Sequence, residues 1–313
     1  MAGLNSRSAL GSRRLKAALL VGYGRSGSTI IGSALGSHQR LFNAGELLWL
    51  PRQIGDAECY CSCGDLLGEC EFWGAVTKKL VETCGRDAMS KLRQLSEQFD
   101  SGRWTWLRAR RAIAAGSAEA KDYAALNFAL YDAISETAGA EIVVDTSKLP
   151  ARALLLSHAE ASRFRVMHLI RGHRAAIASL KKKYSKDPRA GVPQDLGGRG
   201  ATLTSLAWLK WNLECEALAA RMAEPDFQRI RYEELITDPK RGLSGIAEFL
   251  RIEPDGFSTR IDLRAQHIFA GNRLRMQTSQ SLEPRKTLPE NLTQRERLVG
   301  DAVTALGRWY YGW

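Results

Sequence analysis

Apolar runs without alternation recur along the chain, and each is followed by a stretch of helical period. The first is Leu15–Val21, "LKAALLV". It stops at Gly22, and Ile30, Ile31, Ala34 and Leu35 then return at helical spacing, so a buried strand runs through a loop into a helix. "EIVVDTSK" and "RVMHLIRG" are further runs of this kind, apolar on both faces as strands of a parallel sheet are. "RLFNAGE" is too polar to read as a buried strand, and "FQRIRYEEL" reads as one. Helices are predicted for "DYAALNFALYDAISETAG", ending at Gly139, for 150–160, for His173 to about Lys183, for "TSLAWLKWNLECEALAARM" and for "DPKRGLSGIAEFL". This alternation predicts an α/β fold of three layers, a central parallel sheet covered on both faces.

Three stretches break the pattern. Residues 1–14 read as a tail. Residues 51–121 are rich in Cys, Trp and Arg and lack a clear buried strand, so they read as a mostly helical insert within a single domain over 15–313. Residues 185–200, "SKDPRAGVPQDLGGRG", read as a mobile Gly/Pro-rich loop. There is no internal repeat.

Composition changes this picture in two respects. Of 313 residues, 44% are hydrophobic and 25% charged, as in a globular chain, but the net charge of +11 points to an anionic partner. Six cysteines are present, five of them from Cys59 to Cys84, with Cys59, Cys61, Cys63 and Cys70 spaced C-x-C-x-C-x6-C. The spacing is not the doubled C-x2-C of common zinc modules, and zinc, a disulfide and packed reduced thiols all stay open. No metal is assigned to the functional site. Phe72, Trp73, Trp104 and Trp106 from the same insert form either a wall over an acceptor site or the insert's own small core. No apolar run is long enough to span a membrane. Arg13, Arg14 and Lys16 precede a short apolar run without a small-residue cleavage site, a poor signal peptide, so a cytoplasmic protein is expected.

The loop "VGYGRSGSTIIG" carries the candidate chemistry. A glycine-rich turn that opens a helix aims free backbone N–H groups and the helix dipole at an anion. Gly22-x-Gly24-x-x-Gly27 fits a dinucleotide fingerprint, with Glu46 at the distance of its acidic partner. Gly22-x-x-x-x-Gly27-Ser28-Thr29 fits a P-loop in which Ser28 replaces the lysine, with Asp145 as its acidic strand end.

A third reading accounts for more of the chain. "GRSGST" resembles the 5′-phosphosulfate loop of sulfotransferases that use 3′-phosphoadenosine 5′-phosphosulfate (PAPS), those of the Golgi carbohydrate and tyrosylprotein type and their bacterial relatives. "HLIRGHRAAIASLKKK" resembles that family's 3′-phosphate segment, "IRYEELITDPKRGLSGIAEFL" its strand–Tyr-Glu-x-Leu–helix segment, and "HIFAGNRLR" its C-terminal His…Gly-Asn-Arg element. The matches extend over most of residues 17–275. The resemblance implies a P-loop-like fold and transfer of a sulfuryl group from PAPS to a hydroxyl, with release of 3′,5′-ADP. It implies a 5′-phosphosulfate site at Arg25, Ser26, Gly27, Ser28 and Thr29, and a 3′-phosphate clamp at Arg171 and Ser179 with added charge from Lys183. It further implies a nucleotide contact by Tyr232, closure by Gly271, Asn272 and Arg273, a base at Glu46 and a cation on the transferred group or its bridging oxygen at Lys148. Asp145 is then expected to orient Lys148 or the loop, and His38 and His173 to sit at solvated helix ends. The expected acceptor is a saccharide or other polar metabolite, and neither nucleic acid nor a membrane span is expected. A peptide tyrosine acceptor, a small-molecule kinase and a non-catalytic polyanion binder are the alternatives.

Overall fold

Five parallel strands carry the architecture: β1 (Ala17–Val21), β2 (Leu41–Gly45), β3 (Ile142–Lys148), β4 (Phe164–Ile170) and β5 (Phe227–Arg231), ordered β2-β3-β1-β4-β5. The structure, a computed structural model, describes residues 15–258, 260–282, 284 and 291–312. The expected tail at 1–14 lies outside them. The continuous apolar runs have a direct cause. Ala17, Leu19, Val21, Val143 and Val166 point into one core layer, whereas Ala18, Leu20, Val144, Met167 and Leu169 point into the layer on the opposite face. The period of two is hidden because both faces are buried. Helices cover both faces, as the alternation predicts.

The strand order bears on the loop. β3 lies between β1 and β2, whereas in a dinucleotide fold the first two strands are neighbours. The Gly22-x-Gly24-x-x-Gly27 fingerprint therefore sits in the wrong topology for that reading.

Four elements differ from expectation. Leu41–Gly45 is a strand after all, at the edge of the sheet. Its buried Asn43 is satisfied from afar, since its Nδ2 donates to Gln266 Oε1 (3.2 Å) and its Oδ1 accepts from the Gly45 amide (3.2 Å). The helix from His173 ends at Leu180, short of Lys183, because the Leu180 carbonyl accepts the Arg199 amide (2.8 Å) as the chain turns back. Within the expected mobile loop, Tyr184 bridges Leu196 and Asp187 bridges Val192, forming a narrow antiparallel ladder. After β5 the chain turns helical at once, over Tyr232–Thr237.

The 51–121 insert is helical as expected, with helices over Glu71–Cys84, Ala88–Phe99 and Thr105–Ala114, and the start of a fourth, Ala118–Ala138. It has no separate core. Trp73, Leu80, Leu92 and Phe99 share one cluster with Leu19 and Val143. No helix among the described residues is long and apolar enough to cross a membrane.

Candidate active site

Every strand of the parallel sheet delivers a sequence-predicted site residue at its carboxyl end, the edge where parallel sheets bind ligands. The glycine-rich loop follows β1, Glu46 follows β2, Lys148 ends β3, Arg171 follows β4 and Tyr232 follows β5.

The loop opens the helix Ser28–Leu35 with Gly27 at its N-cap, in the left-handed region at φ 95°. A Cβ at Gly27 would drive into the ring of Tyr232. Tyr232 is buried and packs beneath the turn, with the Arg171 guanidinium over its ring at 4.5 Å. Arg171 Nη1 donates to the Arg25 carbonyl (2.9 Å), which ties the loop to the β4 end. Gly27→Ala is accordingly expected to cost about 1–3 kcal/mol through a disfavoured backbone and a displaced ring. Denaturant unfolding measures it, and a loss below about 0.5 kcal/mol, the level of a neutral surface change, would rule out this packing.

The loop is rich in polar atoms that the protein itself does not use. Arg25 Nε, Ser26 Oγ and Arg171 Nε are buried without a hydrogen-bond partner. Buried donors left unpaired are costly, and those at a helix N-terminus fit an anion with several acceptor oxygens. Arg25 itself stands at φ 69° and Lys148 at φ 64°, two of four described non-glycine residues in the left-handed region. Such strain persists where the surroundings over-determine it, and it clusters at functional sites.

Beside the loop, Glu46 and Lys148 meet. Lys148 Nζ forms an ion pair with Glu46 Oε1, and the two side chains are 15% and 18% exposed. Glu46 Oε2 accepts from Trp49 Nε1 (3.3 Å), and Lys148 Nζ also donates to the Thr146 carbonyl (3.3 Å). Glu46 is aimed by Gly45 at φ 67°, where a Cβ would stand 2.9 Å from Ile268 Cγ2. Thr29 Oγ1 accepts from the Asn272 amide (3.2 Å), so the Gly271–Arg273 segment closes against the first turn of the helix. Arg273 lies over the Tyr184 ring at 4.9 Å. Of these groups, Arg25, Glu46, Trp49, Tyr184, Gly271, Asn272 and Arg273 line a cleft of about 540 Å³, whereas Thr29, Lys148, Arg171 and Tyr232 stand outside its wall.

Ser179 sits half-buried in the last turn of its helix, and Lys183 is exposed beyond the helix end, not one turn along it as the spacing suggests. Asp145 touches neither Lys148 nor the loop. It is fully buried and accepts from Arg152 Nε (3.0 Å), Tyr131 Oη (2.8 Å) and the Ser147 amide (2.9 Å). A carboxylate so enclosed is not at hand for the magnesium of a kinase. His38 and His173 are buried rather than solvated. His38 Nδ1 accepts the Arg40 amide (3.1 Å). His173 Nε2 pairs with Asp301 (2.8 Å), and burial holds its imidazole below the usual value against the pull of that carboxylate. Of the insert aromatics, Trp73 is wholly buried, Phe72 stacks between Phe42 and His267, and Trp104 is exposed. None of Phe72, Trp73, Trp104 and Trp106 lines the cleft, so they form neither its wall nor a core of their own.

Three supporting residues escaped the sequence reading. Trp208 Nε1 donates to the Arg171 carbonyl (2.9 Å) and Trp211 Nε1 to the Lys148 carbonyl (3.0 Å). The pair stands three apart on the helix Ala201–Ala219, on one face, and holds both strand ends that carry the cations. The signal was present as "WLKW". Arg275 is 5% exposed and donates Nη1 to the Gly191 carbonyl (3.2 Å), fastening the 184–196 ladder over the cleft. Burial draws its guanidinium below the usual value.

No known protein-family pattern and no curated protein matches the chain. Solved structures similar to it include the sulfotransferase domain of the Synechococcus PCC 7002 olefin synthase, with 19% identity and a TM-score of 0.44, over 93% of this chain and 95% of that one. The sulfotransferase domain from the curacin biosynthetic pathway aligns at 15% identity and a TM-score of 0.47, over 93% and 98%. A sulfotransferase from Mycobacterium avium aligns at 13% identity and a TM-score of 0.49, over 96% and 77%.

Proposed function

We propose that the chain transfers a sulfuryl group from PAPS to a hydroxyl of a saccharide or other polar metabolite and releases 3′,5′-ADP. The observation that carries this reading is the meeting of Glu46 and Lys148 beside a loop whose Arg25 Nε and Ser26 Oγ are buried and unpaired. Those donors suit the 5′-phosphosulfate, and Arg171 with Ser179 suits the 3′-phosphate. The bound nucleotide supplies an activated sulfuryl group. The chain supplies positioning, a base and fixed positive charge, which is what an in-line displacement requires. Glu46 accepts the proton of the acceptor hydroxyl, held in place through Trp49. Lys148 transfers its hydrogen bond from Glu46 to the departing oxygen, freeing the carboxylate as it stabilises the leaving group.

The test is nucleotide selectivity without added metal. 3′,5′-ADP is expected to bind more tightly than 5′-AMP or ATP in calorimetry. Charge-assisted hydrogen bonds contribute about 1.5–3 kcal/mol each, so Arg171→Ala should weaken 3′,5′-ADP at least about tenfold while 5′-AMP changes less. Equal affinity for 3′,5′-ADP and 5′-AMP would remove the 3′-phosphate clamp and with it the PAPS reading.

A further inference from the structure

The cysteine cluster of the insert finds a fourth member far along the chain. The sulfurs of Cys61, Cys63 and Cys70 and a ring nitrogen of His267 all lie within 4.8 Å of one another. Cys70 Sγ stands 3.7 Å from Cys61 Sγ, 3.8 Å from Cys63 Sγ and 3.4 Å from His267 Nδ1. Cys61 Sγ is 3.9 Å from the same nitrogen.

These separations discriminate between the three readings left open by sequence. A disulfide needs its sulfurs about 2.05 Å apart. Four ligands around a tetrahedral zinc, with Zn–S near 2.3 Å and Zn–N near 2.05 Å, place sulfurs about 3.8 Å from each other and about 3.6 Å from the nitrogen. The four separations just given, 3.4 to 3.9 Å, match the second geometry. Reduced thiols packed merely as small apolar groups have no reason to converge on an imidazole nitrogen.

The surroundings are those of a built site. Cys70 is the N-cap of the helix Glu71–Cys84, where the dipole favours a thiolate. His267 is held in the left-handed region at φ 51°, its ring stacked on Phe72 at 4.9 Å and its carbonyl accepting Trp73 Nε1 (2.7 Å). Ser62 and Ile268 exchange two hydrogen bonds, Ser62 N to the Ile268 carbonyl (2.8 Å) and Ile268 N to Ser62 Oγ (2.9 Å). The ring therefore has its position and plane set independently of any ligand.

We propose that Cys61, Cys63, Cys70 and His267 form a structural zinc site. Three thiolates and one imidazole in a closed tetrahedral set leave no open position for a substrate, which marks the site as structural rather than catalytic. Its consequence is mechanical. The metal joins the turn at Cys61–Cys63 and the start of the helix at Cys70 to His267, and the residues that follow, Phe269 to Arg273, are the wall of the cleft. The inference does not rest on the sulfuryl-transfer reading.

Metal analysis of the full chain, purified without chelator or a histidine tag, should find about one zinc per chain. Reduced, stripped protein titrated with Co²⁺ should develop the visible bands of tetrahedral cobalt and sulfur-to-cobalt charge transfer. The double variant Cys61→Ser/Cys70→Ser should lose both signals, whereas Cys84→Ser and Cys215→Ser should keep them. His267→Cys should retain zinc and shift the cobalt bands, a result that also guards against misfolding of the double variant. Absence of zinc together with no cobalt spectrum in the reduced parent chain would overturn the site, as would an intact mass lacking two thiol hydrogens. Zinc retained at full stoichiometry in the double variant would overturn it equally. None of these readouts depends on catalysis.

Discussion

Glu46→Gln is expected to bind 3′,5′-ADP as the parent protein does and to lose at least about a hundredfold in turnover, the lower end of what removal of a general base costs. The amide keeps the length of the side chain and its acceptor for Trp49 Nε1, so the position at the end of β2 is preserved. What disappears is the ability to take a proton. Because that loss is felt only in the chemical step, kcat falls and nucleotide affinity stays. Lys148→Ala separates the two roles. It also lowers turnover, by removing charge from the departing oxygen, but it leaves the base in place. The acidic limb of the kcat profile should therefore persist in Lys148→Ala and vanish in Glu46→Gln. Calorimetry with 3′,5′-ADP and a pH series with an identified acceptor check both. Near-normal turnover in Glu46→Gln would move the base elsewhere. His38 and His173 are poor replacements, since each is buried and hydrogen-bonded away from the cleft.

The residues read most clearly from sequence are those whose role is local. The loop after β1 announces itself because glycines, hydroxyls and a following helical period lie within a dozen residues. β3 and β4 are legible because burial on both faces removes alternation. Lys148 and Arg171 stand at the ends of strands that could be read, whereas Glu46 follows one that could not and was singled out through the resemblance alone. What was not legible depends on partners distant in the chain. β2 looks too polar until Gln266 satisfies Asn43. His38 looks solvated until the chain near Glu253 covers it, and its Nε2 lies 3.2 Å from that carbonyl. His173 is covered by a helix that carries Asp301. The histidine that joins Cys61, Cys63 and Cys70 was hidden because His267 is 197 residues from Cys70. The clearest case is Asp145, expected to serve Lys148 because the two are close in sequence. The residue that takes it is Arg152, in the first turn of the next helix, and no local pattern marks a buried arginine.

That arginine carries the largest stability prediction. Arg152 is 1% exposed, with Nε on Asp145 Oδ2 (3.0 Å) and Nη1 on Tyr123 Oη (2.7 Å). Nη2 donates to Tyr131 Oη (3.2 Å), and Nη1 lies 3.9 Å from Asp100 Oδ2. The tyrosines in turn donate to the carboxylates, Tyr123 to Asp100 (2.7 Å) and Tyr131 to Asp145 (2.8 Å). One cation thus compensates two buried carboxylates. Removing it leaves both in a medium that disfavours charge, and breaking such a buried group costs about 3–5 kcal/mol. Arg152→Leu, which fills similar space without charge, is expected to lose that much, a fall of roughly 5–8 °C in melting temperature for a chain of this length. The deficit should depend on pH. Burial already raises Asp100 above its ordinary value in the intact protein, and without Arg152 the rise is larger. A carboxyl whose folded value is raised binds more protons folded than unfolded, so stability falls as pH climbs from the unfolded value through the folded one. The gap between Arg152→Leu and the parent should therefore narrow on acidification, and adding Asp100→Asn should recover part of it at neutral pH. Activity should fall as well, through position rather than chemistry. Asp145 holds the Ser147 amide and hydroxyl, and Ser147 Oγ accepts the Leu48 amide (3.1 Å), two residues after Glu46. Urea titrations at several pH values measure the effect. A loss under about 1 kcal/mol, or one that does not vary with pH, would show that the carboxylates are compensated without Arg152.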